Sequence, residues 1–135
     1  MCSSVSPSAN TERTPGHAAV LCVDDSENML LICRAILEAS GYRVFTASNG
    51  LAGLDALKHH AIDIVVMDNR MPGMTGLEVA QEIKRTYHLP VLLFSDSGPT
   101  TVPSESIDLF LNKKDGPRAL CHAVGLLLAR TASPQ

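Results

Sequence analysis

Five polar side chains stand at the ends of the short apolar runs of this chain, and together they offer one kind of chemistry. Three are carboxylates, one is a hydroxyl and one is an ammonium group: Asp24, Asp25, Asp68, Ser95 and Lys113. Close carboxylates repel one another unless a cation lies among them. Because carboxylate oxygens are hard ligands, the cation that they favour is Mg²⁺ or a similar divalent ion.

These side chains can meet only if the runs that precede them are parallel strands of one sheet. The runs are apolar throughout rather than alternating, which is typical of strands whose two faces are both covered by helices. Polar groups at the carboxyl ends of such strands share the edge at which open α/β sheets bind ligands. Four predicted strands end at these side chains and span residues 18–23, 64–67, 91–94 and 109–112. A fifth, at 42–47, precedes a turn.

Helical apolar periodicity separates these runs and indicates the fold class. Apolar stripes with helical spacing occur at 26–39, 51–60 and 75–86. Pro117 opens a last helix, at a position where its missing N–H costs nothing. The alternation of strands and helices predicts an α/β fold with a doubly wound, five-stranded parallel sheet.

One crossover breaks this pattern. Between Ser95 and Asp108 an α/β sheet requires a helix, but the sequence there contains Gly98, Pro99 and Pro103. Such a segment cannot form an amphipathic helix of normal length. We therefore predict that the fourth crossover helix is short or absent, with a loop or at most one or two helical turns near residues 103–107.

Composition limits the classes of partner. The chain has 135 residues, 45% of them hydrophobic, which is enough for one domain with an aliphatic core. A net charge of −3 with scattered Lys and Arg argues against a nucleic-acid partner. No apolar run has the length of a membrane span or a signal peptide, so we expect a cytoplasmic protein without membrane contact. We divide the chain into a disordered leader at 1–16, one domain at 17–131 and a tail at 132–135.

The polar residues, in this order and at these strand ends, resemble the receiver domain of two-component response regulators. The pair Asp24-Asp25 is similar to the acidic pair of that family. The segment DNRMPGMTG at 68–76 is similar to the family's phosphoacceptor loop. Ser95, Phe110 and Lys113 stand where the family keeps a hydroxyl, an aromatic switch residue and a lysine. The resemblance runs from about residue 18 to 129 and implies a flavodoxin-like receiver fold.

The resemblance also implies roles in phosphoryl transfer. Asp68 would accept a phosphoryl group from a sensor histidine kinase or exchange one with a histidine phosphotransfer protein. Asp25 and Asp68 would bind Mg²⁺ directly and Asp24 through water, with the backbone carbonyl of Arg70 as a further ligand. Lys113 would neutralise charge on the transferred group.

A signal would then leave the site through two residues. Ser95 would move toward the phosphoryl group and make room for Phe110 to turn inward, which shifts an existing equilibrium between two states. The implied protein is a signalling module rather than an enzyme, apart from its own phosphorylation and dephosphorylation. It would contact an unnamed downstream protein and exist as a monomer or a weak dimer.

Two positions depart from the family pattern. Asp96 stands where a small residue usually follows the hydroxyl, and we expect an ion pair between Asp96 and Arg70 that gates the mouth of the pocket. Lys114 stands where the family favours a proline, often after a cis bond. Because a cis bond before any other residue costs about 2.5–4 kcal/mol, we expect a trans or rearranged junction after Lys113.

Other interpretations stay open at this point. The chain could be a receiver-like protein-binding domain that acts without phosphorylation, which Asp96 and the missing helix favour. A phosphatase with an aspartate nucleophile is disfavoured, because Asp68-Asn69-Arg70 lacks the second carboxylate that such enzymes use as an acid. Asp25 or Ser26 could also serve simply as the cap of the first helix.

Overall fold

Strands and helices alternate along the residues that the computed structural model describes, 18–96 and 105–132. A short 3₁₀ turn, Lys113–Asp115, precedes the last helix. In chain order the regular elements are β1 (Ala19–Val23), α1 (Glu27–Ala39), β2 (Arg43–Ala47), α2 (Gly50–His59), β3 (Ile64–Met67), α3 (Gly76–Thr86), β4 (Val91–Ser95), β5 (Leu109–Asn112) and α4 (Gly116–Ala132).

All five strands form one parallel sheet in the order β2-β1-β3-β4-β5. The predicted fold class is therefore confirmed. The chain moves outward from β1 to β2 and then returns to β3, so the direction of winding reverses between β1 and β3. Val23 and Met67 face each other across this junction as the last residues of their strands. The crevice beyond such a reversal is the usual ligand site of an open α/β sheet.

Apolar side chains cover both faces of the sheet. Alternate residues of β1 point to opposite sides, so that Val20 and Cys22 enter one core layer and Leu21 and Val23 enter the other. Helices α1 and α4 pack together on one side, and α2 and α3 pack on the other. Full burial of each Val or Leu side chain stabilises the fold by roughly 1.5–3 kcal/mol, which holds the strand ends in fixed positions.

Side-chain caps start the first three helices within one residue of the predicted boundaries. Ser26 accepts the N–H of Met29 at 3.2 Å, and Asn49 accepts the N–H of Ala52 at 2.8 Å. Thr75 forms a reciprocal capping box with Glu78. Ser26, and not Asp25, is thus the cap of α1, which leaves the Asp25 carboxylate for the sheet edge.

Two aspartates pin the opposite edge of the sheet. The carboxylate of Asp63 accepts the N–H of Ala19 at 2.8 Å, and its own N–H donates to the Ala19 carbonyl at 2.9 Å. Asp108 repeats both contacts with Val91, at 2.8 and 2.9 Å. These paired hydrogen bonds fix where neighbouring strands begin, and the carboxyl ends of those strands are thereby aligned.

The described residues agree with the prediction that the fourth crossover helix is short or absent. Four α-helices occur among the described residues, and none of them lies between β4 and β5. The predicted leader at 1–16, residues 97–104 of the crossover and residues 133–135 of the tail lie outside the described residues. Helix α4 ends at Ala132, one residue beyond the predicted domain boundary. None of the described helices is both long enough and apolar enough to cross a bilayer.

Candidate functional site

Three carboxylates converge beyond the ends of β1 and β3. Asp24, Asp25 and Asp68 each bring an oxygen to within 4.8 Å of the others. Asp24 and Asp68 are only 5% and 8% exposed, whereas Asp25 is exposed. The predicted acidic cluster is therefore present. Repulsion between its carboxylates is strongest for the two buried members, Asp24 and Asp68.

Lys113 follows the carboxyl end of β5, and its side chain extends to this cluster. Its ammonium nitrogen lies 2.8 Å from Oδ2 of Asp24 and 3.6 Å from Oδ1 of Asp68. Burial by itself lowers the pKa of this ammonium, but the hydrogen bond to Asp24 and the charges of Asp24, Asp68 and Asp96 outweigh burial and raise the pKa above its ordinary value. Lys113 is thus a fixed positive charge at the site over the physiological pH range.

The carboxyl group of Asp68 is held by its own backbone neighbours. The Asp68 N–H donates to the Val23 carbonyl at 2.9 Å, which extends the pairing of β3 with β1. Its Oδ1 accepts the N–H of Asn69 at 2.9 Å. Burial and the charge of Asp24 raise the pKa of Asp68, against the opposing effects of Lys113 and Asn69. A raised pKa marks a carboxylate whose negative charge is incompletely compensated, which is where a further cation would be stabilising.

Both oxygens of Asp24 already have partners within the protein. Oδ1 accepts the N–H of Ser26 at 2.9 Å, and Oδ2 receives the hydrogen bond from Lys113. Asp24 therefore links the start of α1 to the end of β5. Asp25 and Asp68 are left with more capacity to bind a ligand directly.

These groups line one open cleft of about 570 Å³. Its lining residues are Asp24, Asp25, Ser26, Met29, Asp68, Arg70, Ser95, Asp96 and Lys113. Sequence reasoning missed Ser26 and Met29 as cleft residues, because it assigned them to a helix cap and an apolar stripe. Their position in the first turn of a helix that follows two aspartates was the available signal.

The expected ion pair between Arg70 and Asp96 is not formed in this structure. Both residues line the cleft, but no ion pair joins them within the part of the chain that the structure describes. Asp96 instead acts on Lys113, whose pKa its charge helps to raise. An ion pair between two exposed side chains gains too little energy to fix their positions, which is the physical reason for the difference.

The two residues expected to switch lie on adjacent strands. Ser95 is buried at the end of β4, and its sheet partner on β5 is Asn112. Phe110 stands opposite Leu93 and is half-buried against the core layer on the side of α2 and α3.

The junction after Lys113 follows the expected trans geometry. No cis peptide bond occurs among the described residues, and Lys113 leads directly into the 3₁₀ turn. The lysine at position 114 therefore does not divert the Lys113 side chain from the acidic cluster.

Gly76 allows the start of α3 to approach the loop that follows β3 closely. A Cβ atom at position 76 would lie 2.5 Å from the carbonyl oxygen of Asp68 and 3.0 Å from both Cα of Asn69 and Cδ1 of Leu93. We expect Gly76→Ala to lower the free energy of unfolding by about 1–3 kcal/mol, because the added atom must displace backbone. Urea unfolding measures this loss.

Gly125 in α4 provides the matched control for that substitution. A Cβ atom there meets only the Tyr42 hydroxyl, at an ordinary 3.5 Å. Gly125→Ala should leave stability unchanged or raise it by about 0.5–1 kcal/mol, since alanine loses less backbone freedom in a helix. Equal losses from the two substitutions would contradict the steric explanation.

A family model described as the response regulator receiver domain matches residues 20–124. The chain belongs to this family. The sequence resemblance is thereby confirmed, and the protein is a receiver domain of the kind used in two-component signalling systems.

Curated relatives share this domain in different settings. The chain is 36% identical over 77 residues to the polar-differentiation response regulator DivK of Brucella anthropi, which covers 55% of this chain and 63% of DivK. It is 31% identical over 98 residues to the transcriptional regulatory protein AfsQ1 of Streptomyces coelicolor, covering 73% of this chain and 41% of that protein. The sensor histidine kinase GacS of Pseudomonas protegens is 41% identical over 66 residues, which are 49% of this chain and 7% of the kinase. The chain thus spans less than two thirds of each of these relatives.

Solved receiver structures superpose over most of the chain. The response regulator TrrA from Thermotoga maritima, solved in complex with Mg²⁺ and BeF, has a TM-score of 0.75 and 29% identity, covering 82% of this chain and 98% of that one. A receiver domain protein from Clostridium thermocellum gives a TM-score of 0.75 with 27% identity, covering 85% and 97%. The five-stranded fold is therefore the ordinary fold of the family.

Proposed function

We propose that this receiver domain accepts a phosphoryl group on Asp68 from a phosphohistidine, and that the acyl phosphate changes a protein contact. The observation that carries the proposal is the convergence of Lys113 with three carboxylates, two of them buried, in one open cleft. The raised pKa of Asp68 supports the choice of this residue as the reacting group, since perturbed carboxyls in clefts mark functional sites.

The transfer exchanges one bond to phosphorus for another. A carboxylate oxygen of Asp68 attacks the phosphorus of the phosphohistidine, a P–O bond forms, and the P–N bond breaks with its electron pair on the imidazole nitrogen. We assign the attack to Oδ2, because Oδ1 already accepts the N–H of Asn69 and lies nearer Lys113. The ammonium of Lys113 neutralises charge on the transferred oxygens, and Ser95 donates a hydrogen bond to the product.

A divalent cation fits the chemistry of the donor set. Three carboxylates share one site beside a single ammonium, and Asp68 has a raised pKa that an added cation would lower again. Asp25 and Asp68 would hold Mg²⁺ directly and Asp24 through water, because the oxygens of Asp24 already have protein partners. The backbone carbonyl of Arg70 would complete the set. When bound, Mg²⁺ supplies positive charge that offsets the negative charge of the phosphoryl oxygens.

The signal leaves through Ser95 and Phe110. Ser95 lies at the buried end of β4, and Phe110 on the neighbouring strand is half-buried. Movement of the hydroxyl toward the phosphoryl group would let the ring turn inward, which biases a two-state equilibrium toward the inserted state. The changed surface beside β5 is then available to a partner protein.

The proposed partners are a sensor histidine kinase or a histidine phosphotransfer protein, together with an unidentified downstream target. Relatives named as sensor kinases and as response regulators support this class of partner. We further propose a cytoplasmic protein, a monomer or weak dimer, with a leader at 1–16 and no enzymatic action on a separate substrate. Binding without phosphorylation is the less favoured function, because Lys113 and the carboxylates keep their mutual contacts.

Incubation with acetyl phosphate and Mg²⁺, followed by intact-mass measurement, tests the proposal. We expect a gain of one phosphoryl group, located on Asp68 by peptide mapping and absent when the metal is chelated. A protein that stays unmodified with acetyl phosphate, and also with a phosphorylated histidine phosphotransfer protein, would leave the non-phosphorylated binding function as the better account.

Asp96 should slow the arrival of anionic donors. Its carboxylate lines the cleft close enough to raise the pKa of Lys113, so it also repels an incoming phosphoryl donor. We expect Asp96→Ala to accelerate phosphorylation by acetyl phosphate about two- to fivefold at low salt, the size of an exposed charge effect. Arg70→Ala should act in the opposite direction. A rate difference that stays the same at about 1 M salt would contradict this electrostatic gate, because salt screens exposed charges.

A further inference from the structure

A side-chain hydrogen bond closes the turn that carries Lys113. Asn112 is the last residue of β5, and its Oδ1 accepts the backbone N–H of Lys114 at 2.8 Å. The Asn112 backbone is extended, with φ −86° and ψ 138°, as expected for the cap of the 3₁₀ turn that follows. An asparagine oxygen bonded to the N–H two residues later mimics a backbone turn and fixes the direction of the chain.

We propose that Asn112 is a positioning residue for Lys113, and that its side-chain acceptor directs the ammonium toward Asp24 and Asp68. This inference rests on the proposed function, since the placement of Lys113 affects phosphoryl transfer only if Asp68 receives a phosphoryl group.

The hydrogen bond acts where the chain leaves the sheet. Asn112 is paired with Ser95 of β4, so its backbone is fixed on that side. Lys113 is the first residue beyond this pairing, and its ammonium must still come within 2.8 Å of Asp24. A lysine side chain has four rotatable bonds, so only a defined backbone direction at its root confines the ammonium to one place.

The turn is also closed at its other end. The N–H of Gly116 donates to the carbonyl of Lys113, and Gly116 has a φ of 89°, which glycine adopts without strain. Asn112 and Gly116 thus hold Lys113 between two hydrogen bonds. The first of these requires a backbone N–H at residue 114, which lysine supplies and a proline would lack.

Loss of the Asn112 side chain should leave the domain folded. Asn112 is half-buried and Lys114 is exposed, so the released N–H can bond to water. The expected defect is therefore in the aim of Lys113 and not in the core of the domain. This separates a positioning role from a purely structural one.

The test compares phosphorylation rates by acetyl phosphate and Mg²⁺ in an intact-mass time course. Asn112→Ala should be roughly tenfold slower than the wild type, within the 100-fold that a misplacement of about 1 Å can cost. Asn112→Asp keeps the acceptor oxygen and should recover most of the rate. Asn49→Ala is the matched control, because Asn49 is also an N-cap whose side chain accepts a backbone N–H at 2.8 Å, that of Ala52, and it lies outside the cleft lining. It should match the wild type.

A double substitution shows whether the effect passes through Lys113. In a Lys113→Ala background, Asn112→Ala should cause no further slowing, because no ammonium remains to be positioned. Equal slowing in both backgrounds, or an unchanged rate in Asn112→Ala alone, would overturn the positioning role of Asn112. The proposed function would still stand in either case if the wild type is phosphorylated. A wild type that gains no phosphoryl group from any donor overturns both.

Discussion

Asp68→Asn is expected to abolish phosphorylation and, at the same time, to raise the free energy of unfolding at neutral pH by about 1 kcal/mol. The amide has no nucleophilic oxygen for phosphoryl transfer, so the first effect is complete. The second arises because burial and the charge of Asp24 raise the pKa of Asp68. A carboxyl whose pKa is raised by folding opposes the folded state once it is ionised.

The sign of the effect sets its dependence on pH. The stability that protonated Asp68 provides is fully present below its unfolded pKa and is lost as the pH rises through its higher folded pKa. The neutral asparagine does not titrate. The stability difference between the variant and the wild type should therefore be largest near neutral pH and close as the pH falls, which urea unfolding at several pH values measures.

Asp55→Asn serves as the control for this substitution. The Asp55 side chain is 67% exposed on α2, where its Oδ2 lies 3.6 Å from Nδ1 of His59. Its replacement should leave the phosphorylation rate unchanged and the free energy of unfolding within about 0.5 kcal/mol of the wild-type value. A stability gain of equal size in both variants, or a loss in Asp68→Asn, would show that the charge of Asp68 does not lower the free energy of unfolding.

Lys113→Ala should act on the same two properties but lower both. Phosphorylation by acetyl phosphate is expected to slow by roughly 100- to 1000-fold, the usual cost of removing one group that stabilises charge in the transition state. Stability should fall by roughly 3 kcal/mol, since the buried Asp24 carboxylate loses its partner at 2.8 Å. Added Mg²⁺ should recover part of this loss, because another cation then neutralises the cluster.

Lys84→Ala is the matched comparison for Lys113. Lys84 also pairs with an aspartate, Asp108, at 2.6 Å, but the two side chains are 27% and 31% exposed and lie at the opposite edge of the sheet. We expect a loss below about 1 kcal/mol and an unchanged phosphorylation rate. Thermal unfolding and the mass assay distinguish the two lysines, and similar losses in both would mean that burial of the cluster does not govern its energetics.

Local sequence patterns determined the elements of this domain and the groups at their ends. Apolar runs and helical stripes predicted the five strands and the four α-helices of the described residues, because each element must bury its own apolar face. Capping hydrogen bonds, such as those between Thr75 and Glu78 in the structure, span only three residues, so the start of a helix is also a local property. The placement of Asp24, Asp68 and Lys113 at strand ends followed from the same local information.

Contacts between distant segments required the tertiary structure. Whether Arg70 would pair with Asp96 depended on the relative placement of two loops, and the expected ion pair is not formed because two exposed side chains gain too little energy from pairing. The role of Met29 in the cleft was likewise not visible, because it depends on what other strands and loops place beside α1. The hydrogen bond of Asn112 is local, but its link to the site appears only when Lys113 is seen to reach Asp24. The sequence alone thus determined which chemical groups stand at the edge of the sheet, through local hydrogen bonding and periodicity. Only the packing of the sheet decided the distances between these groups and the shifts of their pKa values, because both arise between residues far apart in the chain.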